Sequence, residues 1–330
     1  MRLVAGTDLA HQISLAGGLG FIGAGSDISN LSELLNTSFE LQKKTPIPNV
    51  PSGILPIGIG FLNWGVDLST LCAILKKNEA RPAAIWFFAP NDEAELAHWT
   101  RDIRSATDNK SRIWIQVGTV KSALIAAKTC RPDVLVIQGA DAGGHGLAQS
   151  SSIISLLPEV CDALEREGLA GNVQIVATGG IMDGRGVAAA LMLGAHGVCM
   201  GTRFCISNEA TISAGYKNAI IDATDGGVNT VRSSVYDSLR GTTQWPKQYN
   251  GRGIINKSFR DWQAGMEFEE NQKLYKEAEK RGDEGWGREE GRLTTYAGTA
   301  VGLGKKVMPA KEIVEEVLEE VRKILGRSRL

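Results

Sequence analysis

Surplus charge is what this 330-residue sequence lacks first: 36 Lys and Arg stand against 37 Asp and Glu, a formal net charge of −1. So even a balance gives no bulk field to hold the chain on nucleic acid or anionic lipid, and neither is expected as a partner. No run of 18 apolar residues occurs, which argues against a membrane-spanning helix, and the N-terminus lacks the charged-then-apolar order of a secretory signal. The five cysteines (Cys72, Cys130, Cys161, Cys199, Cys205) are odd in number and never spaced C-x-x-C. That speaks against a disulfide framework and a structural zinc site, so no metal is expected and a reducing compartment fits. What is present, 43% hydrophobic, 22% charged and 6% aromatic residues with 39 glycines, is the composition of a globular enzyme with many tight loops acting on a small molecule. The final Ser328-Arg329-Leu330 stands one conservative step from the Ser-Lys-Leu address of peroxisomal import. A peroxisomal location is therefore expected, with the cytoplasm as the alternative.

From residue 19 to 201 short apolar runs alternate with stretches of helical periodicity, the pattern of parallel strands joined by right-handed helical crossovers. Seven runs read as strands: Leu19 to Gly23, Ile54 to Gly60, Ala83 to Phe88, Ile113 to Val117, Val134 to Gln138, Val173 to Ala177 and Gly197 to Gly201. Helices are predicted at Thr7 to Ala16, Asp67 to Lys77, Asp92 to Thr107, Val120 to Thr129, Ile153 to Glu167 and Gly184 to Leu193. The series points to an α/β fold, a (β/α)8 TIM barrel whose first strand is missing or truncated, the deficit falling before residue 18. Residues 1–223 are expected to form the barrel. Residues 224–304, polar and glycine-rich without strand alternation, read as a mainly helical capping region over the substrate. Within it, residues 267–292 carry nine acidic and six basic side chains and read as a solvated helix. Residues 305–330 contain an amphipathic helix with Ile313, Val314, Val317, Leu318, Val321, Ile324 and Leu325 in one stripe, expected to pack back on the barrel.

Two glycine motifs carry no ligand. Gly18-Leu19-Gly20-Phe21-Ile22-Gly23 has dinucleotide spacing, but it follows a helix and enters a strand, the reverse of what that mechanism needs. Gly302-Leu303-Gly304-Lys305-Lys306 lacks the spacing and hydroxyl of a P-loop. The informative segment is Gln138-Gly139-Ala140-Asp141-Ala142-Gly143-Gly144-His145-Gly146, directly after an apolar strand. A barrel keeps its site at that end, and flanking glycines let backbone approach a ligand while the imidazole of His145 stays reachable. An imidazole can take a proton from an acidic carbon near neutral pH. Gln138 closes the strand with an amide that needs partners, such as a heterocycle edge. The loops Thr178 to Gly186 and Met200 to Arg203 follow the seventh and eighth strand positions, where backbone N–H groups commonly cradle phosphate. Asp183 and Arg185 are expected to cap and pair locally. His11, His98 and His196 read as surface residues, and Trp64, Trp86, Trp99 and Trp114 as core, with Trp64 able to line the pocket mouth.

Taken in order, Ala16-Gly17-Gly18-Leu19-Gly20-Phe21-Ile22, Gln138-Gly139-x-x-Ala142-Gly143-Gly144-His145, Gly179-Gly180-Ile181-x-Asp183-Gly184-Arg185-Gly186, Leu193-Gly194-Ala195-x-Gly197-Val198 and Met200-Gly201-Thr202-Arg203-Phe204 resemble the nitronate monooxygenase family, formerly called 2-nitropropane dioxygenases. The resemblance implies FMN as cofactor. It implies a phosphate on the backbone of Gly180, Gly201 and Thr202 with Gly179 and Met200 beside it, Gln138 and Gly143 near the ring, and His145 as the base. The implied reaction is oxidation of an alkyl nitronate, or of a nitroalkane once His145 has removed its α-proton, with O2 to a carbonyl compound and nitrite. Tyr296 is implied as a pocket residue, and a homodimer stays open. Two departures stand out. Met1 matches the methionine ending the family's first strand, and Gly60 stands where many members carry an Asn, a hydrogen bond that Asn63 could take over. The alternatives are an FMN-dependent enoyl-thioester reductase and a catalytically impaired flavin-binding homologue.

Overall fold

The structure, a computed structural model, describes residues 4–327; Met1 and the terminal Ser328-Arg329-Leu330 lie outside them. Each of the seven apolar runs is a strand: β1 Phe21–Gly25, β2 Ile54–Leu62, β3 Arg81–Phe88, β4 Arg112–Val117, β5 Val134–Gln138, β7 Gln174–Thr178 and β8 Gly197–Cys199. They pair in parallel in the order β1-β2-β3-β4-β5-β7-β8, seven strands of an α/β barrel among the described residues. Beside β1, the N–H of Gly23 donates to the carbonyl of Ala5 (3.0 Å), and the carbonyl of Val4 accepts from Thr211 N (3.1 Å).

Both faces of these strands are covered, which is why they read as continuous apolar runs rather than alternating ones. One face meets the helices through Ile59, Ile85, Phe87, Ile113, Ile115, Leu135 and Ile137, all fully buried. The other turns inward, where Phe21, Trp86 and Trp114 meet at 5.0–5.8 Å between ring centroids beside Val134, Val136 and Val176. Gly58 makes room for them: a Cβ there would stand 2.1 Å from the Phe21 ring. The connecting helices begin at caps visible in the sequence. Asp67, Thr119, Ser152 and Asp183 accept hydrogen bonds from the first-turn N–H groups of Leu68–Lys77, Val120–Thr129, Ile153–Arg166 and Gly184–Met192, and Asp183 also pairs with Arg185, as expected.

The structure departs from the sequence reading at three places. A helix at Leu31–Lys44 occupies a stretch for which none was predicted. His11 is buried at 4% exposure rather than on the surface, its ring Nε2 hydrogen bonded to the carbonyl of Thr45 (3.0 Å), which satisfies the polar ring inside the helix packing. Residues 224–304 carry helices, Val235–Arg240, Lys257–Gln263 and Phe268–Lys280 the longer ones, and also contribute strands β9 Thr230–Ser233 and β10 Tyr249–Ile254. These join β6, Gly144–Leu147, in a separate antiparallel sheet of order β6-β10-β9. The chain thus leaves the barrel after β5, lays one strand into the small sheet, and returns at Ile153. The last helix, Ala310–Arg327, sends Val317 and Val321 into the barrel core, and Glu320 accepts from Gly184 N (2.7 Å). Among the described residues no helix is long and apolar enough to cross a membrane.

Candidate active site

The segments singled out in the sequence meet at the C-terminal ends of the parallel strands. Gln138 ends β5, and its Nε2 donates to the carbonyl of His145 (3.0 Å). The loops after β5, β7 and β8 are stitched together: Gly139 N donates to Thr178 O (2.9 Å) and Thr178 Oγ1 to Cys199 O (3.0 Å). Gly179 and Gly180 take φ of +109° and +74°, a region that a side-chain-bearing residue enters only with strain. Met200, Gly201 and Thr202 follow β8, and Thr202 Oγ1 accepts from Gly298 N (3.1 Å). Gly143 lies against the same strap of chain, for a Cβ on it would stand 2.4 Å from the backbone of Ala297 and Gly298. One segment, residues 296–299, therefore touches the loop that carries His145 and the loop that carries Thr202.

His145 sits in β6 opposite Gly251 of β10. Its Nε2 faces both carboxylate oxygens of Asp237, at 2.8 and 3.0 Å. The same carboxylate accepts from the Tyr296 hydroxyl (3.0 Å) and from Thr242 Oγ1 (3.0 Å). The indole of Trp245 lies flat on the imidazole, with centroids 3.6 Å apart and planes within 4°, and Trp64 lies behind it at 5.6 Å. Burial, reinforced by the neighbouring Asp237, pushes the Tyr296 phenol far above its usual range, so it remains a hydrogen-bond donor. On the barrel side, Arg232 Nη2 donates to Ala142 O (2.9 Å) and Arg252 Nε to Ala140 O (3.2 Å). Burial and the adjacent Arg252 lower Arg232 to about 10. Burial pushes the Cys199 and Cys205 thiols up to about 11, which removes them as nucleophiles at neutral pH.

Beside this cluster, Asn63 occupies the turn after β2 at 4% exposure; among the described residues neither its Oδ1 nor its Nδ2 has a partner, and Trp64 Nε1 is likewise buried and unpaired. At Gly60 a Cβ would meet nothing nearer than 3.9 Å. A small cavity of about 30 Å³, lined by Phe88, Glu93, Gln116, Ser122, Tyr249 and others, adjoins the cluster through Gln138 and Leu147.

The sequence model of the nitronate monooxygenase family matches residues 97–320. Over 98% of this chain and 90% of its own length, a nitronate monooxygenase of Metarhizium robertsii is 47% identical. The chain belongs to the nitronate monooxygenase family. A second family member, the nitronate monooxygenase of Neurospora crassa, is 40% identical over 98% of this chain and 87% of its own length. The solved structure of FabK from Thermotoga maritima shares the fold at a TM-score of 0.73 and 26% identity, covering all of this chain and 93% of that one.

Against that family background, the sequence reading missed Asp237 and Trp245 at the site. Asp237 lies 92 residues from His145, and its one trace in the sequence is an acid set among Val235, Tyr236 and Leu239 on a short helix. Trp245 leaves no local signal, since its place depends on how the loop after Arg240 closes. Trp64, read from the sequence as core and able to line a pocket mouth, is half-buried with its ring 5.6 Å from that of Trp245.

Proposed function

We propose that the chain oxidises alkyl nitronates, and nitroalkanes after deprotonation, with FMN bound across the strand ends between Asn63, Gln138 and the loops at 179–180 and 200–202. The observation that carries this is Asn63. A buried amide with no partner costs about 1–3 kcal/mol, and a turn that keeps one at a barrel's C-terminal end is suited to a heterocycle edge that pairs with both atoms. Its neighbour Gly60 leaves open the place where many members have the Asn. The backbone N–H groups of Gly180, Gly201 and Thr202 suit the phosphate, because glycine lets a ligand reach the backbone. Gly179 and Met200 flank them, and Gly143 lies near the ring.

The chemistry that FMN supplies when bound is oxidation of the nitronate and use of O2, with a carbonyl compound and nitrite as products. His145 acts before that, on the neutral nitroalkane alone: the α-C–H bond breaks, the proton passes to an imidazole nitrogen, and the electron pair moves into the nitro group. Residues 224–304 cover the substrate side, with Tyr296 forming part of the pocket wall, and exclude water there. The test is His145→Asn assayed with a nitroalkane and with its preformed nitronate. General-base removal is expected to lower kcat/KM for the nitroalkane by about 10²–10⁴, with a far smaller effect on the nitronate. Equal losses on both would overturn the base assignment. Fast reduction of the bound flavin by NADH or NADPH, with no nitrite from any nitronate, would instead select the thioester reductase.

A further inference from the structure

We infer that Asp237 is a positioning residue that holds the proton of His145 on Nε2, so that Nδ1 is the atom that takes the α-proton; this rests on the nitroalkane reading above. A carboxylate facing Nε2 at 2.8 and 3.0 Å accepts a hydrogen bond and cannot donate one when ionised. The Nε2–H tautomer satisfies that contact, whereas the other would set a nitrogen lone pair against carboxylate oxygens. Among the described residues no hydrogen bond reaches Nδ1, which leaves its lone pair for substrate. The carboxylate is itself pinned by Tyr296 and Thr242, and Thr242 N also donates to the Asp237 carbonyl (2.9 Å). Its helix is anchored on both sides by the fully buried Tyr236 and Leu239. Trp245 sets the plane of the ring and Asp237 sets its direction within that plane. Two independent contacts thus define one orientation.

The proton balance follows. The α-C–H bond breaks, an N–H bond forms at Nδ1, and the pair goes to the nitro group, giving a nitronate and an imidazolium whose Nε2–H still points at Asp237. The positive charge develops beside a buried carboxylate, where it is stabilised without reorganisation. The proton then leaves to solvent, which returns the ring to its starting tautomer.

The experiment uses the flavin-loaded, full-length protein with ¹⁵N-labelled histidine. In the wild type, the ¹⁵N signals of His145, assigned by their loss in His145→Asn, are expected to show a protonated Nε2 and a bare Nδ1. Asp237→Asn can donate as well as accept and is expected to populate the other tautomer. It should also lower kcat/KM for a nitroalkane by about 10²–10⁴, the range that general-base catalysis contributes, with a loss on the preformed nitronate at least tenfold smaller. Asp237→Glu should recover at least tenfold of the nitroalkane loss. A wild-type ring protonated at Nδ1, or equal losses on both substrates, overturns the proposal. Because the tautomer is read without turnover, a wild type inert toward nitronates would sink the proposed activity and leave the Asp237 assignment to the NMR signal.

Discussion

The barrel and the region that covers it are held together by different means. In the barrel, apolar side chains fill both faces of a continuous sheet, and the connecting helices add Leu71, Leu75, Ile103, Leu157 and Val160 to one large core. The cover has a small core of Val235, Tyr236, Leu239, Phe259, Tyr275, Ala278 and Leu293 and is otherwise knitted by buried polar side chains. Asn256 Nδ2 donates to the carbonyls of Arg292 (2.7 Å) and Leu293 (3.1 Å), and its Oδ1 accepts from Phe259 N (3.0 Å). Asn271 Nδ2 donates to Ser258 O (2.8 Å), and the Tyr275 hydroxyl to Thr294 Oγ1 (3.0 Å). Apolar burial is non-directional and tolerates small errors of position. Hydrogen bonds in a dry interior are directional and penalise them. Strength resides in the barrel, and geometric accuracy in the part that sets Asp237 and Tyr296 against His145.

Substitutions can break that contrast. The largest effect is expected for Phe87→Ala, which removes a fully buried ring on β3 packed edge-on against Trp99. A loss of about 3–5 kcal/mol should appear as a lower urea midpoint. Next comes Arg292→Ala in the cover, where the guanidinium pairs with Asp261 and contacts Asn271 Oδ1 (3.3 Å). Asp261 then keeps only its longer contact with Lys257 Nζ (3.6 Å) and Asn271 Oδ1 loses the Arg292 donor, a loss of about 1–3 kcal/mol. Hydrogen exchange should quicken in residues 254–294 while β2 to β5 stay protected; uniform quickening would mean the two regions are one cooperative unit. The smallest effect is expected for Asn63→Ala. Deleting an unpartnered buried amide should leave the flavin-free melting temperature unchanged or slightly raised. If FMN binds as proposed, its affinity should still fall about tenfold, or ~1.4 kcal/mol. A clear loss of flavin-free stability would show that Asn63 serves the fold instead.

The same contrast explains what the sequence made legible. The barrel strands were readable because burial on both faces leaves a run such as Val134 to Ile137 with no polar interruption, and because a cap such as Asp67, which opens its predicted helix, marks a helix start locally. The helix Leu31–Lys44 was passed over although it was legible, for Leu31, Leu34, Leu35 and Phe39 stand at helical spacing and pack on the barrel core. Strand β6 was unreadable: Gly-His-Gly-Leu has no strand propensity of its own and is extended because Tyr249 to Arg252 pair with it. Of the site, the glycine loops and His145 were visible since their chemistry is encoded at adjacent positions. Asp237 was not, because what makes it matter is a contact that only folding creates.

The detour of the chain through β6 carries an evolutionary corollary. Since one strand of the smaller sheet is donated from between two barrel strands, the cover cannot be lifted off and exchanged like a cassette. A graft from a distant relative would have to reproduce the ladder of β10 against residues 144–147 or leave the histidine's own strand unzipped. Diversification of substrate range in this architecture is thus channelled into point changes around a fixed weave, because even the loop 241–248 that leads into β10 carries Thr242 and Trp245 against the carboxylate and the imidazole.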